Sequence, residues 1–234
     1  MKEVIPGVLM VERTWGCNVY FIPGENATMI DAGFPMDQRT LQRQVGESDE
    51  SNGRIGTVVA THYHLDHVGS IGKLKELFGT QVMAHSEDAG VMEGVVPYER
   101  FKLDRLRSIY YAALGPLFKY EHVGVDVRLT EGDMIDAMGG LQVIHLPGHT
   151  RGSIALYQSE RGILFSGDTI RNEKGIVEGP PPLFSPGIEE AFWCIKEKVL
   201  SLGFETLLPG HGSPVIGGAS SAVEQMMRAQ GRLE

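Results

Sequence analysis

Four side chains able to bind a metal fall within six positions of this chain, His62-Tyr63-His64-Leu65-Asp66-His67, directly after the apolar run that ends at Thr61. In extended backbone, residues two apart point the same way, so His62 and His64 can converge on one ion. Asp66 and His67, at the start of a helix, aim elsewhere. Imidazole and carboxylate at this spacing suit zinc, and they also suit iron or manganese, because such ligand sets select metals weakly. Three later positions repeat the setting: His149 in Leu146-Pro147-Gly148-His149, Asp168 in Phe165-Ser166-Gly167-Asp168, and His211 in Leu208-Pro209-Gly210-His211. Each follows a strand-like apolar run and sits beside glycine, so a rigid sheet end would hold the ligand while glycine lets backbone pass close to the ion. A lone glycine-flanked histidine is ordinarily structural. Beside the upstream cluster, the three become candidates for completing two coordination shells.

The elements that must position these residues are legible from apolar periodicity. The first third reads as short strands at 8–12, 17–22 and 27–30, separated by Gly16 and by turn residues at Pro23-Gly24 and Glu25-Asn26. A helix is expected to open near Asp37, a polar loop to cover 46–54, and a strand at 55–61 to run into the histidine cluster. From His67 onward, Val68, Ile71, Leu74, Leu77 and Phe78 recur at helical spacing, with Gly79 as a stop. Further strands are predicted at 81–85, 126–130, 141–147, 153–158 and 162–167, and helices at 98–114, 188–201 and 219–231. Gly179-Pro180-Pro181-Pro182 reads as a stiff surface loop. Strands followed by helices, twice over, predict a layered α/β protein of two helix-covered sheets rather than a doubly wound sheet.

Composition narrows the function. With 42% hydrophobic residues in 234, a sizeable core is expected. A net charge of −9 leaves no basic surplus, which argues against nucleic-acid binding through phosphates. No apolar stretch approaches the ~20 residues that span a bilayer, and no basic segment followed by an apolar one opens the chain. A cytoplasmic protein acting on a small molecule, with no membrane partner, is the expectation. Cys17 and Cys194 lack any C-x-x-C spacing and read as buried thiols. His85, His122 and His145 have no motif partner and receive no role, and Tyr63 either packs under the metal-binding loop or donates a hydrogen bond near it.

Together with Ile30-Asp31-Ala32-Gly33, these motifs make the chain similar to the metallo-beta-lactamase superfamily, from the N-terminal strands through His211-Gly212. The resemblance implies a four-layered αββα sandwich forming a single domain over 1–234, with metals at one edge between the sheets. Carried over motif by motif, it implies that His62, His64 and His149 hold one metal, that Asp66, His67 and His211 hold a second, and that Asp168 bridges them. Two zinc ions are the implied cofactors. Their shared hydroxide would attack a carbonyl or phosphoryl centre, with Asp66 as the catalytic residue that orients it or shuttles a proton. Asp31 reads as a backbone cap, and the resemblance suggests that it supports the metal loop.

Branches of the family differ at positions this chain displays. Its beta-lactamases lack an aspartate at the Asp168 position, and its flavin-linked diiron reductases carry glutamate where His64 stands. Hydroxyacylglutathione hydrolases share the seven ligands but place a tyrosine soon after the last histidine, where this chain has Gly212-Ser213-Pro214. Acyl-homoserine lactonases place a tyrosine at Arg171. Arg171, near Lys174, is a candidate contact for an anionic substrate group, with a solvated loop arginine as the plain alternative. Residues 86–120 fall where family members vary their substrate cover, and the amphipathic 98–114 stretch could equally build a homodimer interface. A dinuclear hydrolase of a lactone, thioester or ester is the expected function. The alternatives are a phosphodiesterase, a mononuclear-iron oxidoreductase resembling persulfide dioxygenases, and a non-catalytic metal-bound sensor.

Overall fold

The computed structural model of the chain describes residues 1–47, 53–98 and 121–233. Its N-terminal sheet contains seven strands in chain order: β1 (Lys2–Ile5), β2 (Val8–Met10), β3 (Tyr20–Ile22), β4 (Thr28–Ile30), β5 (Thr57–Ala60), β6 (Gln81–His85) and β7 (Val127–Leu129). The first four pair antiparallel, and from β4 to β7 the pairing is parallel. The change follows from the connections, since parallel neighbours require a crossover. Helix α1 (Gln38–Gly46) lies between β4 and β5, α2 (Leu65–Val68) and α3 (Ile71–Phe78) lie between β5 and β6, and α4 (Ser86–Met92) follows β6.

The second sheet is built from β8 (Met134–Ile135), β9 (Leu141–His145), β10 (Ile154–Gln158), β11 (Ile163–Gly167), β14 (Thr206–Pro209) and β15 (Val215–Ile216), in the order β15-β14-β11-β10-β9-β8. Between β11 and β14 the chain forms a small hairpin, β12 (Arg171–Glu173) with β13 (Ile176–Glu178), and a helix α5 (Ile188–Cys194) that continues as a π-helical turn over Ile195–Val199. Helix α6 (Ala219–Ala229) closes the described chain.

Side-chain alternation along the strands assigns the layers. Val59 faces Tyr20, Ile30, Leu156, Phe165 and Leu208 between the sheets, while its neighbour Val58 turns outward to Leu41 of α1, Leu74 of α3 and Met92 of α4. In the second sheet Val143 points inward, and Ile144 packs with Phe192, Ile195, Val223 and Met227 of the C-terminal helices. Three apolar layers separated by two sheets make the expected αββα sandwich. They also explain why the strands read as unbroken apolar runs, since both faces are covered.

Most predicted elements are present with trimmed ends. The strand at 81–85 has the predicted bounds, and the helix ends at Gly79, whose φ of 67° is the left-handed cap glycine favours. That helix starts earlier than predicted, at Leu65, and is broken between Val68 and Ile71. The N-terminal β1, the short β8 and β15, the β12–β13 hairpin and α4 were not evident in the sequence. The predicted helix at 98–114 lies outside the described residues except for its first position, as do residues 48–52 of the predicted loop. The Gly179–Pro182 segment departs from the surface loop expected: Gly179 and Pro180 are buried, and a Cβ at Gly179 would lie 2.5 Å from Phe192 Cζ. Both cysteines are free and buried. Among the described residues, no helix is long and apolar enough to cross a membrane.

Two expected outcomes follow from this packing. Phe165 is fully buried between the sheets with its ring edge-on to Tyr20 at 5.4 Å, so Phe165→Ala should cost about 3–5 kcal/mol in urea unfolding. Burial pushes the Cys17 thiol up to about 12 and that of Cys194 up to about 11, which leaves almost no thiolate at pH 8. A thiol reagent should therefore label neither cysteine in the folded protein and both after denaturation.

Candidate metal centre

The site forms where β4, β5, β11 and β14 end. Asp31, one residue past β4, adopts a positive φ of 59°, a conformation aspartate tolerates, and this turns its carboxylate across to the next loop. Asp31 Oδ1 accepts the Thr61 backbone N–H at 2.8 Å, and Oδ2 accepts both the Thr61 hydroxyl and His67 Nδ1 at 2.8 Å. One buried carboxylate thus fixes both ends of the histidine-rich segment. The expected support role of Asp31 has this physical form.

These contacts set the tautomers. A carboxylate can only accept, so His67 carries its proton on Nδ1 and turns Nε2 inward. The Thr61 hydroxyl gives its single proton to Asp31 and accepts from His62 Nδ1 at 3.1 Å. Ser185 likewise donates to the Pro181 carbonyl at 2.7 Å and accepts from His149 Nδ1 at 2.9 Å. Three rings therefore aim Nε2 into one buried space, with free lone pairs on the neutral rings of His62 and His149. There, His62 Nε2 faces His149 Nε2 at 3.1 Å, and His67 Nε2 faces His211 Nε2 at 3.3 Å.

All seven predicted residues are brought together. Nitrogen atoms of His62, His64 and His149 form one compact group, and Asp66, His67 and His211 form another, with the ligand atoms of each lying within 4.8 Å of one another. Asp168 stands between them, with Oδ2 3.6 Å from His149 Nε2 and Oδ1 3.3 Å from His67 Nε2 and 3.4 Å from His211 Nε2. Asp66 Oδ2 lies 3.2 Å from His211 Nε2. Asp168 Oδ1 is buried and accepts no hydrogen bond. Acceptor atoms crowded this closely repel unless a proton or a cation lies among them, and the donor set suits a divalent metal.

Glycine is required at Gly210, where a Cβ would stand 2.5 Å from Asp168 Oδ1 and 2.8 Å from His67 Cε1. The same segment is tied to the N-terminal sheet by Asn18, whose amide donates to the Pro209 and Gly212 carbonyls at 3.0 and 2.7 Å.

Charge divides the two groups. Burial holds His62 and His64 well below the usual histidine range and brings His149 down to about 4, so these rings stay neutral and ready to ligate. Burial also disfavours charge on His67 and His211, but the carboxylates of Asp31, Asp168 and Asp66 hold His67 well above its ordinary value, and Asp168 and Asp66 raise His211. Burial pushes the Asp168 carboxyl up, and His67 and His211 overcome it to hold the group well below the usual range.

Two features missed in the sequence are Ser185, which orients His149, and Asp88 on α4, whose buried carboxylate joins two loops of the site. Neither has a motif. Arg171, the candidate anion contact, is paired within the chain: its guanidinium donates to the Glu178 carboxylate and the Gly179 carbonyl, both at 3.2 Å, with Glu173 at 3.6 Å. It clasps the β12–β13 hairpin. His85, given no role, is buried and stacks on His145 at 3.8 Å, outside the metal groups.

Comparison with known proteins agrees with this geometry. Residues 13–211 match the sequence profile of the metallo-beta-lactamase superfamily. A probable metallo-hydrolase of Bacillus subtilis, YflN, is 30% identical over 86% of this chain and 82% of its own. The hydroxyacylglutathione hydrolase GloC of Haemophilus influenzae is 27% identical over 90% of both chains. Among solved structures, TTHA1429 of Thermus thermophilus, a metallo-beta-lactamase family protein, superposes with a TM-score of 0.73 at 19% identity over 98% of this chain and 81% of its own. TTHA1623, solved in a di-iron-bound form, superposes with a TM-score of 0.63 at 29% identity, over 88% of this chain and 92% of its own.

Because Asp31 serves His67 and Thr61 together, its charge is decisive. Asp31→Asn keeps the size and the tolerance for positive φ but turns a donor toward groups that all donate. Zinc affinity, read by competition with a chromophoric chelator, should fall roughly 10–100-fold.

Proposed function

The chain belongs to the metallo-beta-lactamase superfamily, and from that premise we propose that it is a two-metal hydrolase of ester-like bonds, with a thioester or lactone as substrate and zinc as the metal. The observation that carries this reading is the pair of inward Nε2 atoms of His62 and His149, 3.1 Å apart with both Nδ1 protons already committed. Burial keeps both rings neutral, so a cation relieves what a proton does not. His62, His64 and His149 would hold one metal, Asp66, His67 and His211 the other, and Asp168 would serve both.

Two divalent cations bound there would supply Lewis acidity toward a carbonyl oxygen and lower the pKa of water into the neutral range. The chain's own residues do the rest. Asp31, Thr61 and Ser185 hold three rings in one tautomer, so that no ligand reorients during turnover. Asp66 is the proton-handling group of the proposal. Its side chain is 28% exposed against 6% for Asp168 and 2% for Asp31, which lets it meet both water and substrate. Hydrolysis consumes one water, releases the acid and the thiol or alcohol, and needs one proton moved from the attacking oxygen to the leaving atom, a transfer within reach of one carboxylate.

The similarity to GloC over nine-tenths of both chains puts a hydroxyacyl thioester of glutathione first among substrates to try. The di-iron form of TTHA1623 makes iron the metal to be distinguished from zinc. Elemental analysis of the purified protein, with turnover of a thioester, a lactone and a phosphodiester before and after chelation, should give about two zincs per chain and thioester or lactone hydrolysis that zinc restores. About one iron per chain without hydrolysis would overturn the reading in favour of an iron oxidoreductase.

Metal uptake carries its own signature. His67 and His211 have raised pKa values, so they retain protons that a metal must displace, and the affinity of their group should weaken as pH falls and tighten as pH rises. Titration calorimetry in two buffers of different ionisation enthalpy should show proton release on binding.

A further inference from the structure

Asp88 lies on α4, within the segment expected from sequence only to cover the substrate, and it is 1% exposed. We propose that Asp88 is a positioning residue that sets the spacing between the loop carrying His62 and His64 and the loop carrying His149. The inference rests on the two-metal reading above. It adds to that reading a residue that touches no proposed ligand side chain.

The Asp88 carboxylate is the joint between the two loops. Oδ2 accepts the backbone N–H of Tyr63, the residue between His62 and His64, at 3.1 Å, and the hydroxyl of Thr150, the residue after His149, at 2.7 Å. Oδ1 accepts the backbone N–H of Gly152 at 2.7 Å. Gly152 permits this approach, since a Cβ there would lie 2.7 Å from the Asp88 carboxyl carbon. Another tie between the same loops, Ile154 N–H to the Thr61 carbonyl at 2.9 Å, belongs to the strand ends and leaves the loop tips to Asp88.

All three neighbours donate, and only an ionised carboxylate accepts from all three. In Asp88→Asn the amide oxygen can keep Gly152, and Thr150 can turn its proton to Ser153 Oγ, 2.8 Å away, and accept from the amide nitrogen. The Tyr63 N–H is then left facing a donor. The substitution is nearly isosteric, yet it detaches one loop from the joint and keeps the other. Asp31 does the complementary work, fixing the ring of His67 and the base of the His62 loop. Loss of Asp88 should therefore fall on the His62–His64–His149 metal and spare the other.

The test is a titration of full-length wild type, Asp88→Asn, Thr150→Val and His149→Ala with cobalt(II), followed by its visible absorption, and with zinc against a chromophoric chelator, at pH 8. Burial pushes Asp88 up to about 6, so it is ionised there. Asp88→Asn should weaken one of two metals roughly 10–100-fold, the same one that His149→Ala abolishes, and leave the other within about twofold. Thr150→Val should shift the same metal by a smaller factor. A lowered urea midpoint with both affinities at wild-type values, or an equal loss at both metals, would overturn the proposal. If Asp88→Asn does not fold, Thr150→Val decides alone, and unchanged affinities overturn it. A wild type that binds a single metal would remove the two-metal reading, and Asp88 would then be judged on whether its replacement weakens that one.

Discussion

The site depends on one constraint: imidazole nitrogens must be made to point their lone pairs at one another inside a buried space. Left to itself, a histidine ring turns its lone pair toward a donor. Here the Nδ1 protons of His62, His67 and His149 are claimed by Thr61, Asp31 and Ser185, and the ring orientations follow. Thr61 and Ser185 are each forced into the accepting role because their own protons are spent on Asp31 and on the Pro181 carbonyl. The inward geometry is therefore a consequence of the outward hydrogen bonds, and the ligands cannot be understood without them.

The fold makes those outward bonds possible by ending strands from both sheets at one edge. β4 delivers Asp31, β5 delivers the His62 loop, β11 delivers Asp168 and β14 delivers His211. β11 and β14 are parallel neighbours, so Asp168 and Gly210 arrive side by side, and the Gly210 N–H closes on the Gly167 carbonyl at 2.8 Å. The two sheets are brought to that edge by the apolar layer between them, and Asn18 and Tyr20 then reach from the first sheet to the Pro209 carbonyl of the second. A ligand set drawn from two sheets is only as well placed as the packing that joins them.

How much of this was legible in the sequence follows from the range of each interaction. His62, His64, Asp66 and His67 are readable because four ligand types in six positions are a local fact, and His149, Asp168 and His211 because each ends an apolar run at glycine. The layers were readable for the same reason, since both-face burial writes Val, Ile and Leu without a break. Asp88, Thr61 and Ser185 carry no local signal, because a hydrogen bond across 25 to 64 positions depends on where the loops arrive. Arg171 illustrates the converse. Its place near Lys174 marks it as a candidate contact for an anionic group, and only the hairpin return that brings Glu178 opposite it shows the ion pair it makes within the chain.

The arrangement is costly to hold. Lone pairs opposed across about 3 Å destabilise this edge of the fold relative to an apolar or fully paired one. Three apolar layers offset that cost, and rigid strand ends prevent the rings from relaxing by turning away. A flexible loop carrying the same seven residues would relieve the repulsion by moving apart and would then have to be reassembled around each metal. Here the repulsion is locked in by packing distant from it, so the free energy that an entering cation would release would go into binding rather than into ordering the chain. Stability stored in the core is thus converted into affinity at the edge, and the buried carboxylates of Asp31 and Asp88 are the joints through which that conversion passes.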